Sequence, residues 1–222
     1  MKKFSLVIAA LLTCALTAYA DSLVTVRPVG TDSVDWSNYG YIPYSSGGIE
    51  LPNPFNFTTT NGVSGSGSFA YPQYSWGGDG GEVTTGGFSS WLIGEYNYVV
   101  STDSTGPLTL SFDQGYTQIG AQISSWMGGP FNAQICDVNG CFNENGYTAL
   151  WWQQSTPAIY IGIESSTPIT WVTFSLTSAT WNPNQFVISD VTLDATPEPS
   201  SLLLLGTGLM GLVGGLRRKF AC

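Results

Sequence analysis

The sequence contains no histidine and very few basic residues. Its 222 residues include 15 aspartates and glutamates but only six lysines and arginines, and charged residues make up 9% of the chain. Without histidine, the chain can form neither a Ser-His-Asp nor a Cys-His catalytic unit, and it has no histidine ligand for zinc. The usual proton shuttle near neutral pH is also missing. Carboxylates, tyrosines and backbone groups remain as candidates for catalysis.

The few basic residues lie almost entirely at the two ends of the chain. Lys2 and Lys3 open it, residues 217–219 are all basic, and Arg27 is the single base between residues 21 and 195. That middle segment holds 14 acidic residues, so its formal charge is about −13. Nucleic-acid binding depends on clusters of lysine and arginine that contact phosphates. The charge distribution therefore predicts that the protein does not bind nucleic acid.

Residues 1–20 have the pattern of a secretory signal peptide. Two lysines are followed by an apolar run over residues 6–16 and by Ala18-Tyr19-Ala20, a small-x-small cleavage pattern. We expect signal peptidase to cleave between Ala20 and Asp21, after export by the general secretory route. The alternative is an uncleaved membrane anchor, for which the apolar run is short.

The C-terminal end combines three features in a fixed order. Pro197-Glu198-Pro199 is followed by an uncharged stretch over residues 201–216 and then by Arg217, Arg218 and Lys219. As a helix, this stretch would rise about 24 Å, somewhat less than the roughly 30 Å hydrocarbon layer of a membrane. The basic cluster after it favours a cytoplasmic C-terminus. The sequence predicts a short transmembrane helix over residues 201–216 within a tail of residues 196–219.

This tail resembles the PEP-CTERM sorting signal of Gram-negative bacteria. The resemblance implies recognition by an exosortase, an integral-membrane cysteine protease or transpeptidase, and cleavage near Pro199. The protein would then be anchored transiently in the inner membrane before it reaches the cell surface or the extracellular space. Proteins with this signal are typically associated with extracellular polysaccharide and with biofilm or floc matrix, so exopolysaccharide is an expected partner.

Residues 21–195 are expected to form one all-β domain, an antiparallel β-sandwich of the jelly-roll or lectin-like kind. Apolar and polar residues alternate over residues 108–112, 119–123 and 172–176, as in strands with one buried face. Eight to ten short strands without a convincing helix fit this pattern. Residues 45–90 are rich in Ser, Thr, Gly, Pro and Asn, and few strands are expected there.

Residues 115–194 also resemble an ectodomain pattern seen in many proteins with PEP-CTERM tails. The matching stretches include 116–121, 158–163, 168–174 and 186–193. The resemblance implies a lectin-like or carbohydrate-module-like sandwich, and it carries no catalytic motif.

The two cysteines of the domain are predicted to form a disulfide. Cys136 and Cys141 flank a turn that contains Asn139-Gly140, a strong hairpin signal. Opposed residues on paired strands lie within disulfide reach, and the periplasm is oxidising. Of the other cysteines, Cys14 leaves with the signal peptide and Cys222 lies in the tail.

Two aromatic clusters are candidate ligand-binding sites. Trp76, Asp79 and Glu82 lie in a glycine-rich stretch, and Trp151 and Trp152 follow the predicted hairpin. Aromatic rings can stack on the apolar faces of sugars, while carboxylates accept hydrogen bonds from their hydroxyl groups. Core packing of the tryptophans and a solvated turn for the acids are the alternatives. No cofactor or metal site is predicted, although structural calcium would suit such acidic loops.

The sequence thus favours an exported cell-surface or extracellular-matrix protein that is sorted by an exosortase-type system and is not an enzyme. Its expected role is structural or carbohydrate-binding within a polysaccharide matrix. The alternative is a small secreted glycoside hydrolase, which needs a pair of carboxylates about 5–10 Å apart. The acids that could supply such a pair are Glu82, Glu95, Glu144 and Glu164.

Overall fold

The computed structural model describes residues 21–39, 49–71, 82–84, 98–102, 104–126, 128–148 and 158–195. Within these residues the chain forms thirteen β-strands and one turn of 3-10 helix, Trp36–Tyr39. The strands are β1 Ser22–Val24, β2 Asp32–Val34, β3 Ile49–Glu50, β4 Phe55–Thr58, β5 Ser64–Phe69, β6 Glu82–Thr84, β7 Val99–Ser101, β8 Leu108–Ser125, β9 Gly129–Cys136, β10 Cys141–Thr148, β11 Ile159–Ala179, β12 Phe186–Ile188 and β13 Val191–Ala195.

All described strand pairs are antiparallel, and the strands form one continuous sheet with the main order β10-β9-β11-β8-β12-β7-β6-β3. Strand β1 adds to β11, the β4–β5 hairpin adds to β8, and β13 joins β2 to β8. The prediction of an all-β, antiparallel, sandwich-like fold is confirmed.

Two long strands, β8 and β11, divide this sheet into two layers. Residues 159–164 of β11 pair with residues 118–123 of β8, and after a register shift residues 171–174 pair with residues 108–111. The front layer has the order β4-β5-β8-β11-β9-β10 and uses the first half of β8. The second half of β8 belongs to the back layer, where it pairs with β12 and β13.

The prediction of eight to ten short strands was wrong in number, because the described residues form thirteen strands. It was also wrong in length, because β8 has 18 residues and β11 has 21. Both strands pass through the bend between the layers without ending. A side chain at Gly115 would place its Cβ only 2.4 Å from the Cβ of Pro168, so glycine allows the two strands to approach at this corner. Such a bend keeps the alternation of each strand and is therefore hard to see in the sequence.

The inward faces of both layers form one hydrophobic core cluster. It includes the alternating residues predicted from the sequence, among them Leu110, Ile123 and Phe174, each with no exposed surface. Trp36 is also fully buried, and its indole Nε1 donates a hydrogen bond to the carbonyl oxygen of Ser189 at 2.8 Å. This tryptophan therefore packs in the core and does not contribute to a binding surface.

Strands β4 and β5 lie within residues 45–90, where few strands were expected. Strand β5 reads Ser-Gly-Ser-Gly-Ser-Phe, a composition typical of a loop. In the structure Phe55 lies opposite Gly67, and Phe57 lies opposite Gly65. The two phenylalanine rings occupy the space above the glycines, since a Cβ at Gly67 would lie 2.0 Å from Cζ of Phe55. The glycines of β5 are thus sites for aromatic packing across the hairpin.

The hairpin of β9 and β10 contains the disulfide that the spacing predicts, Cys136–Cys141, with 4.1 Å between the two Cα atoms. Asp137 stabilises the turn, because its Oδ1 accepts hydrogen bonds from the backbone N–H groups of Asn139 and Gly140 at 2.9 and 3.1 Å.

Replacing both cysteines by serine is expected to lower the free energy of unfolding by about 2 kcal/mol, because the closed loop is short. Chemical denaturation of the two proteins measures this difference. Intact mass before and after reduction is the control, and a protein that gains no 2 Da on reduction lacks the disulfide.

Candidate functional site

The outward face of the front layer consists mainly of uncharged hydroxyl and amide side chains, and the half-buried Trp171, opposite Ser111, also lies on it. Residues directly opposite each other in register share a face, which makes the set continuous across six strands. We call this set the polar face; its members are Asn56, Ser66, Ser68, Thr109, Ser111, Asn132, Gln134, Asn143, Asn145, Thr173, Ser175 and Thr177. The acid that follows Ser111 on β8, Asp113, lies where the strand enters the bend.

Hydrogen bonds between side chains order the polar face from strand to strand. The amide Nδ2 of Asn132 donates to Oδ1 of Asn145 at 2.9 Å, and Nε2 of Gln134 donates to Oδ1 of Asn143 at 3.1 Å. These bonds use the amide oxygens of β10. Within the described part of the chain the NH2 groups of Asn143 and Asn145 have no protein acceptor, so an exposed pair of amide donors remains for a ligand.

Two further aromatic side chains, Tyr147 and Trp181, lie at one end of the polar face. Tyr147 is opposite Pro130 in the hairpin and is 50% exposed. Thr180 donates a hydrogen bond to the carbonyl oxygen of Pro130, and the next residue, Trp181, is 67% exposed. Tyrosine and tryptophan are enriched at binding interfaces. The polar face therefore runs from the disulfide at one end of the hairpin to two exposed aromatic side chains near the other.

A groove of about 610 Å³ lies beside the edge strand β4 and is lined mainly by hydroxyl and amide groups. The hydroxyl of Tyr39 donates to the carbonyl oxygen of Asn56 at 2.7 Å across it. Burial raises the pKa of Tyr39 to about 12, so this tyrosine is a neutral hydrogen-bonding group and not a base at physiological pH. Unlike the polar face, the groove also contains a carboxylate, Asp35, beside its hydroxyl and amide groups.

Of the five predicted ligand-binding residues, the structure describes only Glu82. Trp76, Asp79, Trp151 and Trp152 lie outside the described residues. Glu82 is in β6, where its backbone lies opposite Glu50 of β3 and Ser101 of β7. The structure does not describe its side chain. The two predicted clusters therefore stay predictions.

The side chains of two of the four acids considered for glycoside hydrolysis are described. Glu144 lies on the edge strand β10 opposite the buried Ala133, so it points away from the polar face. Glu164 is exposed at the bend of β11, opposite Ser22 and Gln118 in the back layer. The two carboxylates do not share a face, and Glu95 is outside the described residues. Among the residues that are described, no cluster of three or more Asp, Glu or Cys could hold a metal ion.

The decisive comparison concerns the end of the chain. Residues 195–219 match a family model described as the PEP-CTERM protein-sorting motif. The chain carries a PEP-CTERM sorting motif. No curated protein matches the sequence.

The PEP-CTERM motif implies an exported protein that is processed by an exosortase and that ends at the cell surface or outside the cell. The matched range contains Pro197, Glu198, Pro199 and the basic cluster, and it begins at Ala195, the last residue of β13. The predicted signal peptide, with Ala18 and Ala20, and the predicted span of residues 201–216 are outside the described residues. In the described part of the chain, no helix is long and apolar enough to cross a membrane.

Sequence reasoning missed the polar face of the β-domain. The signal is present, because Phe131, Ala133 and Ile135 alternate with Asn132 and Gln134. Strand β10 continues this alternation of polar residues with Asn143 and Asn145, which are separated by one residue. The apolar half of this alternation forms the core, and its polar half forms the candidate binding surface.

Proposed function

We propose that this exported, exosortase-sorted protein is a non-catalytic carbohydrate-binding component of an extracellular polysaccharide matrix. The observation that supports the proposal is the polar face, an uncharged hydroxyl and amide surface with an aromatic end, on a domain with a formal charge of about −13 between residues 21 and 195. Carbohydrate recognition relies on such groups, because amides and hydroxyls match sugar hydroxyls and aromatic rings stack on the C–H faces of the sugar.

Because the domain is acidic, the expected ligand is an uncharged polysaccharide. An anionic polymer would be repelled by the acidic domain, and the polar face offers no basic side chain to attract it. A neutral glycan avoids this repulsion. Neighbouring strands lie about 4.8 Å apart, so the amide and hydroxyl rows offer repeated donors and acceptors to an extended chain. The aromatic end, Tyr147 with Trp181, would contact the chain where it leaves the amide rows.

Placing two aspartates on this surface tests the proposal. Asn143→Asp with Asn145→Asp keeps the side-chain shape, removes the two exposed amide donors and adds two negative charges. We expect at least a roughly ten-fold weaker affinity for a neutral polysaccharide, since each lost hydrogen bond contributes about 1 kcal/mol. Co-sedimentation of the purified protein with neutral and with anionic polysaccharides measures the effect.

The matched control carries the same added charge outside the polar face. Val29→Asp with Gln114→Glu adds two negative charges at exposed positions outside both the polar face and the groove, and is expected to leave binding unchanged. Equal binding by the Asn143/Asn145 variant and by the wild type would overturn the assignment of this face. Release of reducing sugars, abolished by Glu→Gln at one of two acids, would instead show a glycoside hydrolase.

A further inference from the structure

The first and last strands of the domain begin and end at the same end of the back layer's strands. Ser22 pairs with Glu164, Glu164 pairs with Gln118, and Gln118 pairs with Asp194, so these four residues form one row across strands β1, β11, β8 and β13. We call this row the terminal edge. Strand β1 runs away from it and β13 runs toward it. The chain therefore enters from the predicted signal peptide and departs into the sorting motif at one edge of the back layer, three strand spacings apart, or about 14 Å.

The last residues of β13 are held in place by hydrogen bonds to both neighbouring elements. The backbone N–H of Thr31 donates to Oδ1 of Asp194 at 3.2 Å, and the backbone N–H of Ala195 donates to Oγ1 of Thr31 at 3.1 Å. On the other side, Oγ1 of Thr117 donates to the carbonyl oxygen of Asp194 at 3.2 Å. Asp194 and Ala195 are half-buried, whereas the preceding residues of β13 are buried. The end of the strand is thus the part of β13 that can separate from the sheet most easily.

The sorting motif follows this strand with almost no linker. Thr196 alone separates Ala195, the end of β13, from Pro197. Proteolytic enzymes bind their substrates as an extended segment on both sides of the cleaved bond, and folded chain is cleaved through its transiently opened form. An enzyme that acts at the Pro-Glu-Pro triplet must therefore bind beside the terminal edge, within a few residues of a strand that is hydrogen bonded on both sides.

We infer that the sorting enzyme docks against the terminal edge and engages the motif only after Asp194 and Ala195 have separated from Thr31 and β8. The end of β13 then acts as a latch, and its local stability sets the rate of processing. This inference rests on the sorting motif and is independent of carbohydrate binding, so either proposal can fail alone.

Loosening the latch should accelerate processing. Thr31→Ala removes the oxygen that accepts the N–H of Ala195, and the loss of one hydrogen bond raises the open population about five-fold. We expect a similar increase in the rate at which the full-length precursor is converted in cells that contain an exosortase, followed by pulse-chase and gel mobility. The conversion to be scored is the one that is lost when residues 197–199 are replaced by alanine.

A linker insertion separates local opening from general destabilisation. Six Gly and Ser residues between Ala195 and Thr196 move the motif away from the strand, so the insertion alone should accelerate conversion and Thr31→Ala should then have no further effect. Asn182→Ala, which removes the side-chain oxygen that accepts the backbone N–H of Asn184 at 3.0 Å, is the matched control and should leave the rate unchanged. Unchanged rates for both Thr31→Ala and the insertion would overturn the inference. So would an acceleration by Thr31→Ala that persists in the inserted protein.

Discussion

Replacing Asp32 by alanine is expected to lower the free energy of unfolding by about 3 kcal/mol, because it leaves the buried hydroxyl of Tyr116 and two part-buried donors without an acceptor. Asp32 is 5% exposed and joins three parts of the domain. Its Oδ1 accepts hydrogen bonds from the Thr60 hydroxyl at 2.8 Å and from the backbone N–H of Asn61 at 2.9 Å, and its Oδ2 accepts from the Tyr116 hydroxyl at 2.8 Å. Chemical denaturation followed by tryptophan fluorescence measures the loss.

Two milder variants show whether the carboxylate is the cause. Asp32→Asn keeps one acceptor oxygen and the shape of the side chain, so its expected loss is smaller, about 2 kcal/mol. Tyr116→Phe removes a single donor and should lower the free energy of unfolding by about 1 kcal/mol. A Tyr116→Phe variant as unstable as Asp32→Ala would place the effect in the packing of β8 and not in the carboxylate.

The same carboxylate gives the stability a dependence on pH. Burial alone raises the pKa of Asp32, but hydrogen bonds from Thr59, Thr60, Tyr116 and Asn61 outweigh it, so the pKa lies below its ordinary value. The stabilisation is therefore fully present above about pH 4, the ordinary pKa of aspartate, and is lost as the pH falls through the lower pKa of the folded state. We expect the difference in unfolding free energy between wild type and Asp32→Asn to narrow below about pH 4. A difference that stays constant from pH 7 to pH 3 would contradict this assignment.

The parts of the fold that the sequence predicts correctly are those governed by local rules. Alternation of apolar and polar residues marks β8 and β11, and Asn139-Gly140 between two cysteines marks the β9–β10 hairpin. These signals depend on neighbours in the chain. The bend shared by β8 and β11 depends on the close approach of Gly115 and Pro168, more than 50 positions apart, and no local pattern reports it.

The buried position of Asp32 and the polar face could not be predicted from the sequence, for related reasons. Asp32 looks like a surface residue in the sequence, because its partners Thr60 and Tyr116 are 28 and 84 positions away. The amides of the polar face look like ordinary solvent-exposed positions until the register of β9 and β10 places them in adjacent rows. Chemistry that arises from register appears only when the strands are paired.

Strand β5 gives the sharpest test of this distinction, because Gly67→Ala is expected to destabilise the domain by about 3 kcal/mol, as overpacking of a core does. In a solvent-exposed loop the same change would be nearly neutral. The new Cβ would lie 2.0 Å from Cζ of Phe55, whose ring is 2% exposed and contacts Phe69 at a ring-centroid distance of 5.5 Å. Because Trp36 and Tyr39 also contact this ring, with centroid distances of 6.5 and 6.3 Å, it cannot move without opening the core.

The control for Gly67→Ala is Gly140→Ala, where a Cβ would meet no atom within 4 Å; this change is expected to shift the free energy of unfolding by less than about 0.5 kcal/mol. Phe55→Leu shortens the side chain above Gly67, so in the Phe55→Leu background Gly67→Ala should lose less stability than it does alone. Such coupling is what a double-mutant cycle measures between residues in contact. Equal effects of Gly67→Ala in both backgrounds would show that Phe55 does not pack over Gly67, and β5 would then need another explanation for its place in the sheet.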